Sequence, residues 1–159
     1  MKSFNQLTTQ GKARRLRKVA LDALPHYDLK LKAVSFLTIA TNTLFKIVAE
    51  NGEKFALRIS SPGEATLADH EVELFWLTAL ARDTDLNVAH PVPRRDGQFI
   101  SFVTHPNVPE MRRCVLFRWI PGRELEHSLT PSNYFKLGQL MASLHNHAST
   151  LRPLPAQLQ

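Results

Sequence analysis

Arg58 is the residue with the most chemistry to offer. It stands in Phe55-Ala56-Leu57-Arg58-Ile59, a cation inside an otherwise apolar, strand-like run. A guanidinium stays charged at physiological pH and presents a fork that matches phosphate oxygens; on an edge strand it would serve instead in a surface ion pair. Downstream, Glu71-Val72-Glu73-Leu74-Phe75-Trp76-Leu77 sets two carboxylates in a helical pattern. Residues two apart on a helix point about 200° apart, so only one of the two can face a packed sheet. A carboxylate amid that much apolar surface needs a partner, and Arg58 is the natural one. Val115-Leu116-Phe117-Arg118-Trp119-Ile120-Pro121-Gly122 is an apolar strand closed by a turn. Apolar walls with extended backbone C=O and N–H groups suit the edge of a flat heteroaromatic ring, and suit a plain core strand as well. His145-Asn146-His147 offers two imidazoles, but ligands two apart on a helix diverge, whereas a shared ion needs them four apart. No metal site is therefore assigned, and His145 is expected to pack or to cap.

The elements that must position these residues are legible as patterns. Residues Gln10 to Leu24 carry Ala13, Leu16, Ala20 and Leu24 at helical spacing, and Pro25 ends the run. Strands are expected at Leu31–Leu37, Leu44–Ala49 and Phe55–Ile59, the last two joined by Glu50-Asn51-Gly52-Glu53, a hairpin signal in which both Asn and Gly accept positive φ. A largely buried helix follows at about Thr66 to Arg82, then strands at Gln98–Thr104 and Cys114–Ile120. The stretch His105 to Met111 between them is polar and broken by prolines. Thr130 can cap a last helix and Pro131 suits its first turn; Tyr134, Leu137, Met141, Leu144 and Ala148 form its apolar stripe. Hairpins exclude a doubly wound parallel sheet, so the class is α+β.

Composition narrows the partners. With 159 residues, 43% hydrophobic and 21% charged, the chain can form an ordinary globular core. No apolar run is long enough for a membrane helix and the N-terminus has no apolar signal core, so no membrane is expected and the cytoplasm is the expected compartment. The net charge of +6 favours anionic partners. Much of it is crowded into Lys12, Arg14, Arg15, Arg17 and Lys18, without interleaved aromatics to stack bases, so nucleic acid is disfavoured and a solvated helix face is expected. Cys114 is the only cysteine, which excludes an internal disulfide and marks a small buried hydrophobe.

Taken in order, these motifs resemble the N-terminal lobe of the aminoglycoside phosphotransferase family, kin of choline, ethanolamine and type II homoserine kinases with a protein-kinase-like fold. The resemblance covers about Tyr27 to Ala148. It implies a five-stranded antiparallel sheet with one packed helix, preceded by a helix and followed by the first helix of a C-terminal lobe. The matching boundaries are a basic N-terminal helix (1–26), the nucleotide-binding lobe (27–120) and a hinge exit with the first C-lobe helix (121–159). The resemblance implies ATP as the nucleotide, held by Asn42 in the turn over the phosphates, Arg58 at the strand cation, Glu73 as its helix carboxylate, and the hinge Phe117, Arg118, Trp119 and Ile120. The loop Thr38-Ile39-Ala40-Thr41 departs from the glycine-rich loop of protein kinases.

The family's catalytic loop, a His-x-Asp run followed by Asn, and its later metal-binding Asp have no counterpart. The last aspartate is Asp96, and beyond Trp119 the acidic residues are Glu124 and Glu126. No catalytic residue and no ligand for the family's Mg2+ is assigned. The expectation is the ATP-binding lobe of a small-molecule kinase, inactive alone, its exposed apolar surface met by a C-terminal lobe or by self-association. The alternatives are a non-catalytic kinase-like interaction module and, least supported, a basic nucleic-acid binder.

Overall fold

The computed structural model describes residues 3–122 and 130–151, so Glu124 and Glu126 lie outside the described residues, as does the tail after Leu151. The elements are helix α1 (Thr9–Ala23), strands β1 (Leu31–Ile39), β2 (Asn42–Ala49) and β3 (Lys54–Ser60), helix α2 (Leu67–Asp83), strands β4 (Ile100–His105) and β5 (Val108–Arg118), and helix α3 (Pro131–Thr150). They divide into two compact units, Met1–Thr66 with Ala89–Trp119, and Leu67–Val88 with Ile120–Gln159.

The first unit holds one antiparallel sheet in the order β1-β2-β3-β5-β4. Alternation sorts its side chains. Phe45, Ile47, Phe55, Leu57, Ile59, Cys114 and Leu116 are buried on one face together with Leu16, Val19, Ala20 and Ala23 of α1. The apolar stripe of α1 is thus the packed face, and its arginines at 14 and 17 stay exposed. Tyr27, fully buried, donates its hydroxyl to the Phe99 carbonyl at 3.2 Å, and desolvation raises its pKa. Desolvation also pushes the Cys114 thiol up to about 12, which leaves no thiolate at neutral pH and makes it the inert hydrophobe expected.

The β2–β3 turn forms as expected, though by a different device. Only Gly52 takes positive φ, at 85°. Asn51 works through its side chain: its Oδ1 accepts the Glu53 N–H at 3.1 Å and its Nδ2 donates to the Glu53 carboxylate at 2.8 Å. Gly52→Ala is expected to destabilise the lobe by about 1 kcal/mol, because the left-handed region penalises a Cβ even where space is open; urea unfolding measures it.

The second correction concerns β5. It starts at Val108, inside the stretch expected to be irregular. Val108 pairs with His105 across a tight turn, and Glu110 takes φ 64°, so a kink absorbs what Pro106 and Pro109 forbid to a regular ladder.

In the second unit α2 buries His70, Leu74, Ala79 and Leu80. Thr130 caps α3 as expected, accepting the Asn133 N–H at 3.3 Å. No described residue of α3 is buried, and Tyr134, Phe135, Leu137 and Met141 are each 45% or more exposed.

Candidate functional site

The sheet face turned away from α1 collects the polar residues. In register, Leu44 of β2 lies beside Arg58 of β3 and Val115 of β5, and Lys46 lies beside Ala56 and Phe117. Asn42, opposite Ser60, begins the same face, because strand residues two apart share a side. The row Lys46–Ala56–Phe117 therefore has its smallest side chain in the middle strand. Arg58 is half-buried, and its guanidinium carbon stands 5.0 Å from the centroid of the Phe117 ring. Lys46 places its ammonium 5.0 Å from the centroid of the Trp119 ring. Two cations are thus each seated on an aromatic ring of the same chain segment, an arrangement that restricts where these long side chains can reach. An anionic, flat ligand is complementary to such a face.

The end of β5 supplies backbone. The Arg118 N–H donates to the His90 carbonyl at 2.8 Å and the Trp119 N–H donates to the Lys54 carbonyl at 3.1 Å. Pro91 bridges to Phe117, and the Val92 N–H donates to the Leu116 carbonyl at 2.8 Å. The short 90–92 segment therefore occupies donors and acceptors on the outer edge of the strand. Of the hinge residues Arg118 to Ile120, only Ile120 has an N–H outside these bonds. The Arg118 side chain is exposed and reaches the Glu53 carboxylate at 3.5 Å, a long surface contact of little energetic weight.

Of the sequence-derived candidates, Asn42, Arg58, Phe117 and Trp119 come together on or beside one sheet face. Glu73 is half-buried on α2, whereas Glu71 is exposed. Ile120 is exposed at the start of the second unit. Lys46 was not among the candidates. Its signal was parity: it stands four residues after Asn42 in a strand, hence on the same face.

His145, expected to pack or cap, is exposed. His147 is the engaged imidazole. Trp76 donates its indole N–H to His147 Nδ1 at 3.2 Å, which leaves Nε2 to carry the proton toward Asp83 Oδ2, also at 3.2 Å. Arg82, and secondarily His147, hold the Asp83 carboxyl down at about 2. A depressed carboxylate contributes stability that is present above its unfolded value near 4 and lost as pH falls toward 2. Asp83→Asn is expected to melt below the parent at pH 5 and to converge with it near pH 2, as thermal unfolding at stepped pH will read. Among the described residues, no group of three or more His, Cys, Asp and Glu side chains is arranged to hold a metal, and no helix is long and apolar enough to cross a membrane.

The chain belongs to the phosphotransferase enzyme family (APH), whose sequence profile matches residues 35–158. An uncharacterized protein, sll1119, of Synechocystis sp. (strain ATCC 27184 / PCC 6803 / Kazusa) is 32% identical over 130 residues, which are 80% of this chain and 35% of that protein. Among solved structures, a microcompartment-associated aminopropanol kinase is 31% identical with a TM-score of 0.75, covering 90% of this chain and 43% of the kinase. The amicoumacin kinase hAmiN, solved with AMP-PNP, Ca2+ and Ami, is 19% identical with a TM-score of 0.72, covering 96% of this chain and 46% of that one. That last likeness speaks to fold. The five-stranded antiparallel sheet with its helices is the N-terminal portion of this kinase fold, and the chain spans under half of each kinase and about a third of the cyanobacterial relative.

Proposed function

We propose that this chain is the nucleotide-holding part of a small-molecule kinase that phosphorylates a hydroxyl acceptor with ATP. The observation that carries the reading is the sheet face itself, with Arg58 and Lys46 held over Phe117 and Trp119 around the small Ala56. In this reading the triphosphate lies toward Arg58 and the turn at Asn42. Arg58 takes the phosphate oxygens. The base lies against Ala56 and Phe117, its edge read by the Arg118 carbonyl and the Ile120 N–H, since the Arg118 and Trp119 N–H groups are engaged within the lobe. The aminopropanol kinase and the amicoumacin kinase both support a small-molecule acceptor, without choosing one.

Positioning and charge neutralisation dominate phosphoryl transfer. This chain supplies the positioning of the nucleotide, and none of its residues is assigned as the base or as a magnesium ligand. The exposed apolar set on α3, Tyr134, Phe135, Leu137 and Met141, is the surface such a complement would cover, and it also suits the second reading, a partner-binding module without chemistry.

Tryptophan fluorescence tests the assignment. The sequence has two tryptophans, so Trp76→Phe leaves Trp119 as the sole reporter. ATP is expected to change its emission saturably, with magnesium affecting affinity only modestly. Emission unmoved by millimolar ATP, together with an unshifted melting temperature, would remove nucleotide binding from this lobe. Nucleotide binding with no transfer after the chain is joined to the remainder of its fold would favour the module reading.

A further inference from the structure

The sheet has an open edge at β1. In the order β1-β2-β3-β5-β4, Leu31–Ile39 pairs with β2 and has no strand on its other side. Alternate residues of such a strand turn their N–H and C=O groups outward. Among the described residues, the backbone hydrogen bonds made outside the ladders include none from positions 31–39. Only Val34 and Ile39 of its side chains are half-buried; the others are exposed, Leu31, Phe36 and Leu37 at 36%, 39% and 41%. Folded proteins usually shorten or cover an edge of this length and apolarity, because it is a template for another strand.

The order of residue types along β1 identifies that strand. Leu31-Lys32-Ala33-Val34-Ser35-Phe36-Leu37-Thr38-Ile39 has the same pattern of apolar and polar residues read in either direction from Ser35. An antiparallel strand of the same sequence, laid with Ser35 against Ser35, sets Val34 opposite Phe36, Ala33 opposite Leu37, Lys32 opposite Thr38 and Leu31 opposite Ile39. No apolar residue then meets a polar one. A two-fold contact requires a surface complementary to itself, and this strand is one. The faces agree as well. Val34 and Ile39 pack against the core, the Phe36 ring meets Phe45 edge-on at 5.8 Å, and Leu31 pairs with the buried Ala49, so all four belong to the α1 face. The exposed Leu31 and Phe36 of one copy are covered by Ile39 and Val34 of the other.

We propose that two copies of this chain pair β1 against β1 about a two-fold axis at Ser35, joining their sheets edge to edge. Both copies use the same strand, so the contact closes at a dimer. The register is specified, because a slip of two residues sets Lys32 opposite Phe36 in one direction and Thr38 opposite Val34 in the other. The irregularities of the β1–β2 pairing, between Leu31 and Ala33 and between Phe36 and Thr38, flank Ser35 on both sides and leave the centre regular. Charge does not oppose this arrangement. The two Lys32 side chains stand six residues apart along the paired strands, about 20 Å at roughly 3.3 Å per residue, well beyond a Debye length of about 8 Å. The pairing does not depend on what the far face of the sheet binds.

Sedimentation equilibrium of the chain at physiological salt tests it, and a monomer–dimer equilibrium without larger species is expected. Ser35→Asp sets two carboxylates against each other at the axis and should weaken the dimer at least about ten-fold, with the urea midpoint unchanged. Phe135→Ser, on the exposed face of α3, should leave the dimer as it is. Ser35→Cys gives a second reading. Opposed Cα atoms of an antiparallel pair lie about 4.5–5.5 Å apart, within disulfide reach, so mild oxidation should convert this variant to a covalent dimer. The parent, whose one cysteine is the buried Cys114, should stay unlinked. Hydrogen exchange should slow at alternate β1 amides as the concentration rises. Should Ser35→Asp not fold, the cross-link and the exchange pattern decide. A chain still monomeric at about 1 mM, association lost in Phe135→Ser but kept in Ser35→Asp, a Ser35→Cys variant that stays unlinked, or β1 exchange that ignores concentration would each overturn the proposal.

Discussion

Arg58→Ala is expected to weaken ATP binding by about 10- to 100-fold while leaving the lobe folded. The size follows from the interaction removed. A charge-assisted hydrogen bond to phosphate contributes roughly 1.5–3 kcal/mol, and about 1.4 kcal/mol is a factor of ten in affinity. The side chain is half-buried, so screening is incomplete and the lower end is the floor. Arg58→Lys separates charge from geometry. It keeps the cation and loses the planar fork, so an intermediate affinity is expected, nearer to the parent at low salt. Calorimetric titration with ATP, with and without magnesium, measures all three proteins. Equal affinities for parent and alanine variant would take Arg58 out of the nucleotide site and with it the functional reading of this sheet face.

The residues that face α1 were readable because each is apolar and each alternates, as in Phe45-Lys46-Ile47 and Phe55-Ala56-Leu57. Parity in those same strands also carries Arg58 and Lys46 to the far face, yet only Arg58 stood out, since the resemblance gives a role to the cation of the third strand and none to the lysine of the second. That seat, Trp119, is 73 positions away in the chain (119 − 46), and no local pattern links them. The start of β5 was illegible for a related reason. Pro106 and Pro109 are true local obstacles to a ladder, and the hairpin forms by concentrating the irregularity at Glu110 while Val108 and Arg112 still reach their β4 partners. The hinge shows the same limit in its backbone. Sequence can mark Phe117 to Ile120 as extended, but which N–H groups are available depends on the 90–92 segment lying alongside. His147 over His145 is likewise decided by a helix elsewhere in the chain, through Trp76 and Asp83.

Phe117 joins the stability of the lobe to the placement of its cation, and two substitutions pull these apart. Its ring is 6% exposed, beside Ala56, with the Arg58 guanidinium over it. Phe117→Ala removes a buried aromatic from a strand paired on both sides, with Ala56 and with Pro91, and is expected to cost about 3–5 kcal/mol, since the void left there cannot collapse freely. Phe117→Leu keeps most of the volume and should cost less, about 1–1.5 kcal/mol. Both remove the aromatic face, whose attraction for a cation is worth about 0.5–2 kcal/mol depending on exposure. The leucine variant is therefore the informative one. If the ring serves only as core, it will melt slightly earlier and bind ATP as the parent does. If the ring aims Arg58, ATP affinity will fall by about 3- to 10-fold despite a near-intact fold, and the fall will vanish in an Arg58→Ala background, because a positioning residue has no effect once the group it positions is gone. Urea unfolding and ATP titration on the four proteins of that cycle decide between the two roles, and a fall that persists without Arg58 would show the ring touching the base directly.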